Sequence, residues 1–217
     1  VTAGEVLERL RELGSEHNRQ GMARFGINTA RALGVSMASM RPLAREFGRE
    51  HELAQTLWDT KVHEARILAC LIDDPKKAGR DQLERWVEDL DSWDLTDQFC
   101  NKLAVKTPLA WELAVSWAAR EEEFVRRAGY SLMAQLAVHH KAAPDRDFLP
   151  LLELVEGAAD DERNFVKKAV NWALRQIGKR SPALRVAAVE TARRLVKRES
   201  KSARWIARDA LRELDPA

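Results

Sequence analysis

The chain has 217 residues, 45% of them hydrophobic, with 36 Lys and Arg against 34 Asp and Glu, a formal charge of +2. That length suffices for one well-buried domain, and residues 1–217 read as a single one. No apolar run approaches the roughly 18 residues of a membrane span and no hydrophobic leader follows the first residues, so neither a membrane nor export is expected.

Abundant Ala, Leu, Arg and Glu, beside a single tyrosine (Tyr130) and few threonines, favour helix over sheet. Residues 2–14 form an amphipathic helix (Val6, Leu7, Leu10, Leu13) stopped by Gly14. Ser15 to Gly26 has no clear period, and Phe25-Gly26-Ile27 reads as a packed corner. Ser36 or Ser39 caps a helix with Arg41-Pro42 near its first turn. Leu53 to Leu71 reads as two helices broken near Asp59-Thr60, and Asp73-Asp74-Pro75 ends them. Leu83 to Leu90 is a further helix, and Asp91-Ser92-Trp93-Asp94 starts one that reaches about Ala104. Thr107-Pro108 opens another, through Ala119, while Lys141 to Pro144 and Lys179 to Pro182 separate the last helical hairpins. Cys70 and Cys100 lie within apolar helical patterns and read as buried thiols in a reducing compartment.

An internal repeat emerges in the second half. Val125-Arg126-Arg127-Ala128 recurs as Val166-Lys167-Lys168-Ala169 and more loosely as Ala207-Arg208-Asp209-Ala210, at steps of 41 residues. Leu136 and Ile177 keep this register, as do Leu132, Ala173 and Leu214. A helical period near 40 marks an all-α, HEAT- or armadillo-type solenoid of stacked hairpins. Equivalent positions then share a surface, so Arg127 and Lys168 are expected side by side on a concave basic face.

Charge is distributed unevenly. Residues 161–217 hold 15 basic and 7 acidic side chains, a balance of +8 that leaves −6 for the rest. Within this basic third, Val166, Ala169, Val170, Ala173, Leu174 and Ile177 form one apolar helical stripe. Lys168, Trp172, Arg175 and Lys179 fall opposite it. A large aromatic among three cations, turned from its own core, suits an anionic, ring-bearing partner, and nucleic acid is one.

Other constellations carry less. Gly178-Lys179-Arg180 lacks the remainder of a phosphate loop, and no Gly-x-Ser-x-Gly occurs. His63-Glu64 is followed at position 67 by Ile, and His17, His51, His139 and His140 lack ligand spacing, so no metal is expected. Glu64 and Arg66, two residues apart, cannot share a helix face and should form ion pairs with neighbouring helices. Trp93 and Asp97 are neighbours at i and i+4, beside a core stripe of Leu95, Phe99 and Leu103. An aromatic face beside a carboxylate can cradle a developing cation, although spacing alone favours a core-edge tryptophan with a surface aspartate. Arg127 falls on an outward stripe with Ser131 and Ala134, where small neighbours would let a phosphate backbone approach, or where it is simply a surface arginine.

Several of these stretches together resemble a known family, the AlkD-like DNA alkylation repair proteins, which are HEAT-like alkylpurine DNA glycosylases. They are Leu57-Trp58-Asp59-Thr60 with His63-Glu64-Ala65-Arg66, Ser92-Trp93-Asp94-Leu95-Thr96-Asp97, Val125-Arg126-Arg127-Ala128, and Val166 through Arg175. The resemblance runs from about Met22 to Leu214 and implies catalytic roles for Asp97, Trp93 and Trp172. It implies DNA contact by Arg127, and the basic pattern adds Lys168, Arg175 and Lys179. One departure stands at Met22-Ala23-Arg24-Phe25, where members carry an aromatic hydroxyl.

What the resemblance implies is excision of cationic N3- and N7-alkylated purines from duplex DNA without base flipping, in base-excision repair. The partner would be double-stranded DNA carrying alkylated purines, with no cofactor, met by a monomer in the cytoplasm at the nucleoid. A non-catalytic module for distorted or branched DNA, and a protein-binding HEAT scaffold, remain alternatives.

Overall fold

Residues 1–216 are described by a computed structural model, and among them the chain forms thirteen α-helices and two 3-10 turns, with no strand. The first seven helices are α1 (Ala3–Glu12), α2 (Glu16–Arg24), α3 (Met37–Phe47), α4 (His51–Asp59), α5 (His63–Ile72), α6 (Arg80–Glu88) and α7 (Trp93–Lys102). The others are α8 (Ala110–Ala118), α9 (Glu123–His139), α10 (Leu149–Gly157), α11 (Asn164–Arg180), α12 (Pro182–Val196) and α13 (Lys201–Leu214). Thr2, Ser15, Ser36, Ser181 and Ser200 start five of them, each accepting a hydrogen bond from the backbone N–H three residues on. This satisfies one of the donors that a helix leaves unpaired at its start. The chain divides into two compact units, Val1–Thr107 and Pro108–Ala217.

In the first unit α5 is the central element, packed by α1, α3, α4 and α7. It buries nearly its whole length, Glu64 and Arg66 included. The core is aromatic: Trp58 and Trp86 stack at 4.1 Å with their planes 2° apart, and Phe99 leans on both. Such contacts add about 0.5–1.5 kcal/mol to the burial itself. Helix α2 buries no residue, so Ser15 to Gly26 shows no apolar stripe although it is largely helical.

In the second unit the 41-residue step is a physical repeat. Val125, Val166 and Ala207 lie on α9, α11 and α13, all buried, and these helices pack in succession, α9 on α11 and α11 on α13. Phe124 and Phe165, one period apart, meet at 5.7 Å between ring centroids. Helices α8, α10 and α12 complete the three hairpins, with α10 against α12. Arg180 closes the end of α9, donating to the carbonyls of Ala137, His140, Lys141 and Ala143, its guanidinium 4.4 Å from the Phe148 ring centroid.

Helix α9 corrects one expectation. The side bearing Arg127, Ser131 and Ala134 is not outward: Arg127 is 5% exposed and the other two are fully buried. Arg127 and Lys168 therefore do not stand side by side on one surface, since Lys168 is exposed. The cause is that α8 and α11 both pack on α9.

Close packing of α8 on α9 requires Gly129, where an added Cβ would stand 2.3 Å from the backbone nitrogen of Ala118. Gly129→Ala should thus lower stability by about 1–3 kcal/mol, outweighing the better helix propensity of alanine. Gly21→Ala on α2, where a Cβ meets nothing within 4 Å, should instead gain up to about 1 kcal/mol. Thermal denaturation of both variants checks this, and a Gly129→Ala protein that melts above wild type would contradict the close approach.

Candidate nucleic-acid interface

The first unit holds Trp93 through a loop tied down by its own buried groups. Glu64 of α5 is fully buried, and its carboxylate accepts hydrogen bonds from the backbone N–H groups of Leu33 (2.8 Å), Gly34 (2.7 Å) and Val35 (3.2 Å). The chain can pass here only with glycine at position 34: its φ is +80°, and a Cβ would stand 2.1 Å from the Ser15 carbonyl oxygen. The His63 N–H donates to the Arg31 carbonyl, and the Asn28 amide to Asp91 at 2.8 Å. Glu64 therefore meets three backbone donors in place of the expected ion pair. Arg66 does form one, to Asp89 at 3.1 Å, while a second N–H reaches the Trp58 carbonyl.

At one end of this loop the Phe25 carbonyl accepts the indole N–H of Trp93 at 3.0 Å. Phe25 itself is 72% exposed, so Phe25-Gly26-Ile27 is not a packed corner; Gly26 turns the chain with φ at 73°. Trp93 and Asp97 are both half-buried and one turn apart on α7, while Leu95 and Phe99 are buried. Between them in sequence, Asp94 holds His63 of α5 at 2.8 Å. A small cleft of about 190 Å³ lies beside His63, lined also by Asn28, Arg31, Lys61, Arg66 and Asp91 among others.

The second unit carries the basic residues. On α11 the predicted apolar stripe is wholly buried, and across from it Lys168 and Lys179 are exposed while Trp172 and Arg175 are half-buried. The Trp172 indole N–H lies 3.3 Å from the Gln176 side-chain oxygen once that amide is oriented to accept it. Arg175 and Lys179 are not free cations: each donates to Glu213 of α13 at 2.7 Å. These bonds, with burial opposing them, hold the Glu213 carboxyl below its ordinary range. Sequence periodicity within α11 could not show this pairing, because Glu213 lies in the next repeat. Among the described residues no group of His, Cys, Asp and Glu could hold a metal ion, and no helix is long and apolar enough to cross a membrane.

Residues 6–214 match the family of DNA alkylation repair enzymes. The chain belongs to that family. The structure is similar to a solved one described as a new family of proteins related to the HEAT-like repeat DNA glycosylases with affinity for branched DNA structures, at a TM-score of 0.82. The two share 24% identity over 99% of this chain and 96% of the other. The fold is thus all-α and HEAT-like. No curated protein matches the chain in sequence.

The His63–Asp94 contact ties α5 to the first turn of α7. Burial opposes charging of the ring, but the hydrogen bond to Asp94 and the nearby carboxylates of Asp94, Glu64 and Asp91 raise His63 above its ordinary value. The stabilisation is complete below the unfolded-state pKa of about 6.5 and is lost as pH rises through the raised folded value. The melting temperature of wild type relative to His63→Gln should therefore be higher near pH 6 than near pH 8.5, the range in which imidazole titrates. A difference that does not vary with pH would show that folding leaves the affinity of the ring for a proton unchanged, and one that falls toward pH 6 would show that the folded ring stays neutral.

Proposed function

We propose that the chain is a DNA glycosylase that hydrolyses the N-glycosidic bond of cationic N3- and N7-alkylated purines in duplex DNA, without base flipping, as a step of base-excision repair. The observation that carries this reading is the pairing on α7 of a fixed, half-exposed indole, Trp93, with the carboxylate of Asp97 one turn along. The chemistry asks for little more. As the C1′–N bond breaks, its electron pair neutralises the alkylated base, which departs without a general acid. Positive charge builds on the deoxyribose, where the Asp97 carboxylate and the π-face of Trp93 oppose it. A water oxygen then bonds to C1′ and gives up its proton, leaving free base and an abasic site.

On α11, Lys168 and the ring of Trp172 are proposed to meet the DNA, with Arg175 and Lys179 joining once Glu213 lets them go. A second reading is a non-catalytic module for branched DNA. The affinity of the structurally similar family supports it, as does the stretch Met22-Ala23-Arg24-Phe25, which has no tyrosine where an aromatic hydroxyl was expected.

Single-turnover base release from alkylated duplex decides between them. Asp97→Asn should fold and bind at least as well as wild type, since one charge repelled by phosphate is gone, yet release base about 10²-fold more slowly, roughly 3 kcal/mol. Trp93→Ala and Trp172→Ala should slow release less. A folded Asp97→Asn with wild-type release would refute the assignment, and a wild type that binds branched DNA but releases nothing would establish the second reading.

Glu213→Gln tests the α11 surface separately. Freeing Lys179, and leaving Arg175 only its 3.7 Å contact with Asp209, should raise duplex affinity and steepen log K against log salt by about one unit, near 0.9 for each phosphate newly neutralised. Unchanged or weaker binding would remove Arg175 and Lys179 from the interface.

A further inference from the structure

Trp205 of α13 is 40% exposed, and the surface around it has the composition of a binding face. Lys201, Trp205, Arg208 and Arg212 succeed one another by four, three and four residues, the same order and spacing as Lys168, Trp172, Arg175 and Lys179 on α11. Their setting differs. One period back, Trp205, Arg208 and Arg212 correspond to Asn164, Lys167 and Asn171, on the side of α11 that meets α13. There the Asn171 amide bonds to Asp209 at 2.7 Å, and the Lys167 ammonium lies 5.1 Å from the Trp205 ring centroid. The corresponding side of α13 is covered by no later helix among the described residues.

An exposed helix face needs only to be polar, which explains charge there but not a large ring. Nor does it explain the sign. Several arginines of this unit are matched by acids, as Arg193 is by Asp215, Arg194 by Glu156 and Arg198 by Asp160. Lys201 and Arg208 are exposed and, among the described residues, make no ion pair, while Arg212 is matched by Asp209. Uncompensated cations about an exposed indole are complementary to phosphates that carry stackable rings. Bases within a duplex are already stacked on one another and have no face to offer; unpaired bases do.

We infer that the exposed side of α13 holds a single-stranded stretch of DNA, with a base stacked on Trp205 and its phosphates met by Lys201 and Arg208. This surface adjoins α11 across the contact of Lys167 with Trp205 but does not depend on the chemistry assigned to Asp97.

Fluorescence anisotropy with labelled oligothymidylate of about 16 nucleotides and with blunt duplex tests it. Trp205→Ala should weaken single-strand binding at least about fivefold, as loss of one stacked base does. Trp205→Phe should restore most of that affinity. Lys201→Gln with Arg208→Gln should lower the single-strand salt slope by about 1.4 units, roughly 0.7 for each phosphate no longer neutralised. Blunt-duplex binding should stay within about twofold in all three, less than the loss of one stacked base. The inference fails if Trp205→Ala binds the single strand like wild type, or if single strand and duplex weaken together. It fails equally if the wild type does not bind the single strand, which would leave this face to an acidic protein.

Discussion

The second unit depends on a regular offset between neighbouring repeats. Arg127 donates to the carbonyl of Phe165, Asn171 to Asp209, Arg175 to Glu213, Arg194 to Glu156 and Arg198 to Asp160, and in every case the partners are 38 residues apart. The separation is one period of 41 less three residues, and residues three apart share a helix face. Each repeat is thus keyed to the next by a polar bond displaced by one turn, over a mainly apolar core. The same offset decides which side chains are left for a partner: those on the keyed side are consumed, and those away from it, Lys168 and Trp172, are not.

The first unit obtains its rigidity differently, from a buried carboxylate rather than from repetition. Glu64 gathers three backbone donors of a loop that has no helix of its own, and this compensates for removing its charge from water. The loop in turn supplies the carbonyl that fixes Trp93. A residue in the first turn of α5 is thus linked through this loop to an aromatic at the start of α7 without touching it.

Much of this organisation was legible in the sequence. The helical character, the 41-residue register and the buried stripe of α11 follow from apolar spacing, which is a direct imprint of burial. The match of residues 6–214 to the alkylation repair family agrees with the resemblance carried by the Trp93–Asp97 and Val166–Arg175 stretches. Three features were not legible, each for its own reason. Helix α2 buries nothing, so it leaves no periodic trace. Arg127 is enclosed because two helices pack on α9, and the periodicity of a single helix records only one of them. The pairing of Arg175 and Lys179 with Glu213 crosses between repeats, where a residue's own neighbours in sequence say nothing of its partner.

The hydrogen bond from Trp93 to the Phe25 carbonyl has a consequence for selectivity. An indole has one polar hydrogen, and here it is already used. What Trp93 offers to a ligand is area and quadrupole, which respond to positive charge and planarity but not to a pattern of donors and acceptors. Under the proposed function such a surface meets the cationic sugar that any departing alkylated purine leaves, without reading which purine has gone. Adenine and guanine adducts would be alike to it, and so would alkyl groups of different size, provided each leaves the ring charged.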